Sequence, residues 1–133
     1  MSKVQSILIV DDDEHCIELL RLALNAAGAV SILAETESEI AANHIMSNPI
    51  DLVVLDIKMP KVNGFDVLKQ LRGEGDKTPV IMLSGSSYQQ DIDRAYQLGC
   101  NSYFEKPGSL DDYRKFATCL VEYWSTGYVP IGA

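Results

Sequence analysis

Strand-length apolar runs alternate with helix-patterned stretches along almost the whole of this chain. That alternation is the signature of a parallel sheet covered by helices. Ile7-Leu8-Ile9-Val10, Leu52-Val53-Val54-Leu55 and Val80-Ile81-Met82-Leu83 are purely apolar, as strands covered on both faces must be. Two weaker, more polar strands are predicted at Val30–Ala34 and Ser102–Phe104, and these suit sheet edges. Right-handed crossovers then favour the strand order 2-1-3-4-5, a doubly wound, flavodoxin-like (βα)5 sheet with helices on both faces.

The helices are predicted from apolar spacing and end signals. The first places Cys16, Leu20, Ala23, Leu24 and Ala27 on one face and stops at Gly28. Thr36 with Glu39 is expected to form the capping box of the second, which carries Ile40, Ala41 and Ile45 and stops before Pro49. The third begins after the turn pair Asn63-Gly64 and carries Val67, Leu68 and Leu71. The fourth is predicted to start near Ser87, capped with Gln90, and to end at Gly99. The fifth starts at Ser109, capped with Asp112, and presents Tyr113, Phe116, Ala117, Leu120 and Trp124. Residues 1–125 read as one domain and 126–133 as a tail, with no effector domain expected.

The chain has 133 residues and a formal net charge of -8. An acidic surface argues against nucleic acid or an anionic membrane as partner. No run is long enough to span a bilayer, and the first residues lack the apolar region of a signal peptide. Three spaced cysteines, Cys16, Cys100 and Cys119, without a C-x-x-C, read as reduced core or boundary residues of a cytoplasmic protein.

The residues just past the strands carry the chemistry. The first strand runs into Asp11-Asp12-Asp13-Glu14, the third into Asp56, the fourth into Ser84-Gly85 and the fifth through Glu105 into Lys106-Pro107. In the order 2-1-3-4-5 these ends gather at one edge, beside the topological switch point where ligands bind. Carboxylates about 4 Å apart repel by a few kcal/mol at intermediate dielectric. A hard cation with oxygen ligands, Mg²⁺ or Mn²⁺, would offset that through Asp11, Asp12 and Asp56. His15 and His44 read as helix-surface residues, and Asp13 as a helix cap. Asp56 could act as a nucleophile on phosphorus. Lys106, the Ser84 hydroxyl and the Gly85 N–H would then neutralise the phosphoryl oxygens.

In these motifs the chain resembles the receiver domains of two-component response regulators. The resemblance runs through Ile7-Leu8-Ile9-Val10-Asp11-Asp12-Asp13-Glu14, Val54-Leu55-Asp56-Ile57-Lys58-Met59-Pro60 with Asn63-Gly64, Leu83-Ser84-Gly85 and Tyr103-Phe104-Glu105-Lys106-Pro107. It implies that Asp56 takes phosphate from a sensor histidine kinase or a phosphotransfer protein. It implies that Asp11, Asp12, Asp56 and the backbone carbonyl of Lys58 arrange the metal, and that Ser84 and Lys106 bind the phosphoryl group. It implies a switch pair, Ser84 and Tyr103, that reshapes the face of helix four, strand five and helix five for a downstream protein. It also implies a cis Lys106-Pro107 bond. The ending Glu122-Tyr123-Trp124 and the tail through Pro130 are similar to the subgroup found with bacterial phytochrome kinases, where such tails support a homodimer.

Two other readings use the same residues. A haloacid-dehalogenase-like phosphatase would use Asp11 and Asp13, Ser84, Lys106 and Asp111-Asp112, but leaves Asp56 without a role. A pseudo-receiver would bind without taking phosphate, yet none of the acids or the lysine is missing.

Overall fold

The computed structural model describes residues 6–29 and 31–126, with backbone alone for 124–126. The elements, in chain order, are β1 (Ser6–Val10), α1 (Glu14–Ala26), β2 (Ser31–Glu35), α2 (Ser38–Ser47), β3 (Leu52–Leu55), α3 (Gly64–Gly73), β4 (Val80–Ser84), α4 (Gln89–Gln97), β5 (Ser102–Glu105) and α5 (Leu110–Thr126). The sheet is parallel in the order β2-β1-β3-β4-β5, the order that right-handed crossovers favour. The half-exposed strands β2 and β5 are the edges, and the fully buried β1, β3 and β4 the centre.

Side-chain alternation splits the interior into two layers. Leu8, Val10, Val53, Leu55, Val80 and Met82 face α2, α3 and α4. Ile7, Ile9, Leu52, Val54, Ile81 and Leu83 face α1 and α5, where they meet Ile17, Leu20, Leu24, Ala117 and Leu120. A one-residue slip would exchange the layers, so burial on both faces fixes the register. Val10 lies beside Leu55, Leu55 beside Met82, and Ser84 beside Glu105. β1 and β3 therefore end level, and β4 and β5 end level with each other two residues further on.

Local end chemistry explains where several boundaries differ from expectation. Asp13 caps α1 by accepting the His15 N–H at 3.0 Å and the Cys16 N–H at 3.4 Å. Ser109 accepts the Asp112 N–H at 3.2 Å at the start of α5. The Thr36–Glu39 box does not form. Glu37 is the N-cap of α2 without a side-chain bond, and its own N–H donates to Glu35 Oε2 at 3.0 Å. Ile40 is exposed, and Ala42 takes the core position beside Ala41 and Ile45. The Ser87–Gln90 box is absent as well. Ser86 serves that turn instead, accepting the Tyr88 N–H at 3.3 Å and donating to Asp91 Oδ2 at 2.6 Å. Asn63 and Asp66 form a full capping box for α3 that the turn pair alone did not suggest.

Lys106–Pro107 is trans, because no cis bond occurs among the described residues, and trans is the intrinsically favoured isomer. His44 is no free surface group, since β2 ends beside α2 and Glu35 Oε1 lies 3.0 Å from its Nδ1. Cys16 and Cys100 are buried, whereas Cys119 on α5 is exposed. The expected position of Val30 in β2 and the Trp124 side chain lie outside the described residues. Among those residues no helix is long and apolar enough to cross a membrane.

Candidate functional site

The carboxyl ends of the strands bring four of the expected residues into one cluster. Asp11, the first residue beyond β1, is 2% exposed. Its N–H donates to Glu35 O at 3.2 Å, and its Oδ1 accepts the Asp13 N–H at 3.0 Å. Asp56, the first residue beyond β3, is held by its own N–H on Val10 O at 3.0 Å. Its Oδ1 accepts the Ile57 N–H at 2.8 Å. The Lys106 ammonium, delivered by the end of β5, spans the two acids at 3.0 Å from Asp11 Oδ2 and 3.3 Å from Asp56 Oδ2. Carboxylate oxygens of Asp11, Asp12 and Asp56 all lie within 4.8 Å of one another, with Asp12 exposed at the rim. Of the four acids after β1, Asp13 is absorbed by the cap and Glu14 by the first turn of α1.

Charge and burial oppose each other here. Burial, then the neighbouring charge of Asp11, push the Asp56 carboxyl up to about 6, although Lys106 and the Ile57 N–H pull it back. Burial alone would lower the Lys106 ammonium, but its hydrogen bond to Asp11 and the charges of Asp11 and Asp56 outweigh that and raise it. Three carboxylates against one ammonium leave a formal surplus of two negative charges (three minus one). The donors are all carboxylate oxygens with no thiol or imidazole among them, so the residues fit a hard divalent cation and do not suit zinc or copper.

The remaining expected residues sit around this cluster. Ser84 ends β4, 1% exposed, and its hydroxyl accepts the Ser86 N–H at 3.1 Å. Its carbonyl accepts the Lys106 N–H at 2.7 Å, tying the β4 and β5 ends together. Gly85 is exposed beside it, and Lys58 has an exposed side chain two residues past Asp56. Tyr103 is half-buried against the α2–α4 layer. Its hydroxyl donates to Ser86 O at 2.9 Å, and its N–H donates to the Tyr96 hydroxyl at 3.1 Å. Under the acids, Cys16 Sγ lies 3.5 Å from the Tyr113 hydroxyl, and burial pushes that thiol up to about 11, so it is inert at neutral pH. Asp111 and Asp112 open α5 on the exposed side, with Asp111 on Arg114 at 3.4 Å. The acidic pair of the phosphatase reading therefore does not end a strand.

Gly64 is a site residue that its turn pair only half announced. Its N–H donates to Ile57 O at 2.7 Å. A Cβ at this position would overlap the Asp56 carbonyl oxygen and come within 2.9 Å of Ile57 Cα. The start of α3 can close on the Asp56 backbone only without a side chain. Gly64→Ala is expected to cost roughly 2 kcal/mol through this overlap and to displace Asp56, which urea denaturation and a phosphorylation assay would show together.

A groove of about 620 Å³ lies between β5 and α5, lined among others by Phe104, Lys106, Phe116, Cys119 and Tyr123. Phe104 and Phe116 meet edge-to-face there, 5.3 Å between centroids.

Comparison with known proteins bears on the site as a whole. The family model for the response regulator receiver domain matches residues 7–117. Response regulator GtcR of Aneurinibacillus migulanus is 39% identical over 107 residues, 80% of this chain and 43% of that protein. The chain thus spans less than half the length of that curated relative. The crystal structure of the phosphorylated cyanobacterial phytochrome response regulator RcpA superposes with a TM-score of 0.85 at 25% identity, covering 96% of this chain and 99% of that one. The Mn(2+)-bound form of response regulator Rcp1 shares the fold, with a TM-score of 0.81 at 24% identity over 95% of this chain and 99% of its own.

Proposed function

The chain belongs to the response regulator receiver family, and from that premise we propose that it is a phosphoacceptor switch in which Asp56 takes and releases a phosphoryl group. The observation that carries this reading is the setting of Asp56. It is buried, held from one side by the Ile57 N–H and from the other by Lys106, and crowded by Asp11.

In the proposed step an Asp56 oxygen forms a bond to phosphorus while the bond from phosphorus to the donor breaks, and the electron pair leaves with the donor. A phosphohistidine of a kinase or phosphotransfer protein supplies that donor. Asp11, Asp12, Asp56 and the Lys58 carbonyl would hold Mg²⁺, which supplies positive charge against the phosphoryl oxygens when bound. Lys106 supplies a second positive charge from this chain, since its ammonium already lies on Asp56 Oδ2. The Ser84 hydroxyl and the Gly85 N–H are the remaining donors. The chain is then its own substrate and not a catalyst with turnover.

The same residues carry the signal outward. A Ser84 hydroxyl drawn to the phosphoryl group gives up the Ser86 N–H it now holds. Ser86 is also where the Tyr103 hydroxyl rests. Movement at Ser84 therefore reaches β5 through Ser86, and the phosphoryl group favours whichever arrangement makes its added contacts. The outer surface of α4, β5 and α5, with its β5–α5 groove, is the surface offered to a downstream protein.

Acetyl phosphate with Mg²⁺ is expected to add a single phosphoryl group per chain, detected by intact-mass spectrometry and removed by hydroxylamine. No uptake would sink the proposal. Continuing release of phosphate from phosphomonoesters would favour the phosphatase reading instead.

A further inference from the structure

We propose that Ser38, at the start of α2, is a positioning residue that presets the loop between Asp56 and Gly64 for cation binding, an inference that rests on the metal-assisted reading of the site. Lys61 has a φ of 70°, and among the described residues no other non-glycine residue has a positive φ. Across it the Val62 N–H donates to Pro60 O at 2.8 Å. Such a three-residue turn with a positive central φ is rare and strained, and strain of this kind persists only where the surroundings over-determine it.

Ser38 supplies that determination. Its hydroxyl donates to Pro60 O at 2.7 Å and accepts the Val62 N–H at 3.3 Å, so one oxygen grips both ends of the turn. The group is 6% exposed, and water does not compete freely for it. The neighbouring Lys61–Glu39 pair at 3.0 Å is exposed on both sides, and a pair of that kind contributes little. On its far side the loop is closed by the Gly64 N–H on Ile57 O at 2.7 Å, while Met59 and Val62 pack on the core layer. Ile57 to Gly64 is thus a closed ring anchored to α2 by the Ser38 hydroxyl. Pro60, the gripped residue, stands two positions beyond Lys58, whose carbonyl is assigned to the cation. Supporting groups that orient ligands in this way commonly govern metal affinity without touching the metal.

Calorimetric titration of Mg²⁺ into the full chain tests this. Ser38→Ala is expected to weaken Mg²⁺ binding roughly ten-fold, the lower end of the usual effect of such supporting groups, and Ser38→Thr, which keeps the hydroxyl, to retain wild-type affinity. If the alanine variant fails to fold, Ser38→Cys reads the same loss with a near-isosteric, weak hydrogen-bonding group. A Ser38→Ala chain that melts at a lower temperature but binds Mg²⁺ as wild type does would make Ser38 merely structural and overturn the proposal. A wild-type chain that takes up no Mg²⁺, and is indistinguishable from Asp12→Asn in the titration, would overturn the parent reading and this one with it.

Discussion

Asp56→Asn is expected to take up no phosphoryl group from acetyl phosphate and Mg²⁺ and, unlike most losses of function, to be more stable than wild type at neutral pH. The loss should be complete, because the neutral amide keeps the volume but is not a nucleophile at oxygen. Neighbouring acids cannot replace it. Asp11 is engaged by the Asp13 N–H and Lys106, and Asp12 stands exposed at the rim.

The gain in stability comes from removing the displaced carboxyl. Asp56 is raised from 3.8 to about 6, first by burial and then by Asp11. Below both values it is protonated in the folded and the unfolded chain and contributes nothing. Between pH 4 and 6 the unfolded chain loses this proton while the folded chain keeps it, so stability falls as pH rises. Above about 6 the full cost is present, of the order of 2–3 kcal/mol for a shift of this size. The difference between Asp56→Asn and wild type, measured by urea denaturation without metal, should be near zero at pH 4 and fully developed at pH 7. Saturating Mg²⁺ should shrink it, because a ligand bound to the folded wild type stabilises it. A variant that still takes up phosphate would refute the assignment, and one destabilised at pH 7 would refute the electrostatic account.

Lys106→Met should have the largest effect on stability. It removes the one ammonium that lies 3.0 Å from Asp11 and 3.3 Å from Asp56 and leaves their carboxylates buried and facing each other. Breaking a buried ion pair by deleting one partner costs about 3 kcal/mol or somewhat more, here at pH 7 without metal. Loss of the lysine also removes a charge that pulls Asp56 down, so Asp56 takes up its proton at a higher pH than in wild type. Stability should therefore recover as pH falls towards 5. Asp56→Asn in the same chain should restore most of the loss at pH 7, and the double-mutant cycle gives the coupling directly. If Lys106→Met matched wild type at both pH values, the ammonium would not be the group that offsets the acids.

How far these features were legible depends on the range over which each is set. Asp56 was readable because it abruptly ends an apolar run beside the switch point, and Lys106 because it follows the last strand, whose carboxyl end the strand order brings to the same edge of the sheet. The caps were less legible. Thr36–Glu39 and Ser87–Gln90 have the right spacing, yet α2 and α4 start elsewhere because Glu35 and Ser86 already satisfy those turns. The Ser38 hydroxyl on Pro60 and the Glu35–His44 contact join residues that no periodic pattern relates. Gly64 was visible as a turn residue, but not as the point where α3 meets the Asp56 backbone.

By itself the sequence determined the layers, the strand order and the set of residues at the sheet edge, because strand-length apolar runs, helical spacing and chain chirality act locally and recur along the chain. Only the tertiary structure decided how the acids divide their work. Asp11, Asp12 and Asp13 are neighbours of one chemical type, yet they become a buried partner of Lys106, an exposed carboxylate at the rim and a helix cap. The proton affinity of Asp56 was likewise beyond the sequence, because desolvation and Coulomb energy are sums over every element that closes on a group, and those elements meet only in the folded chain.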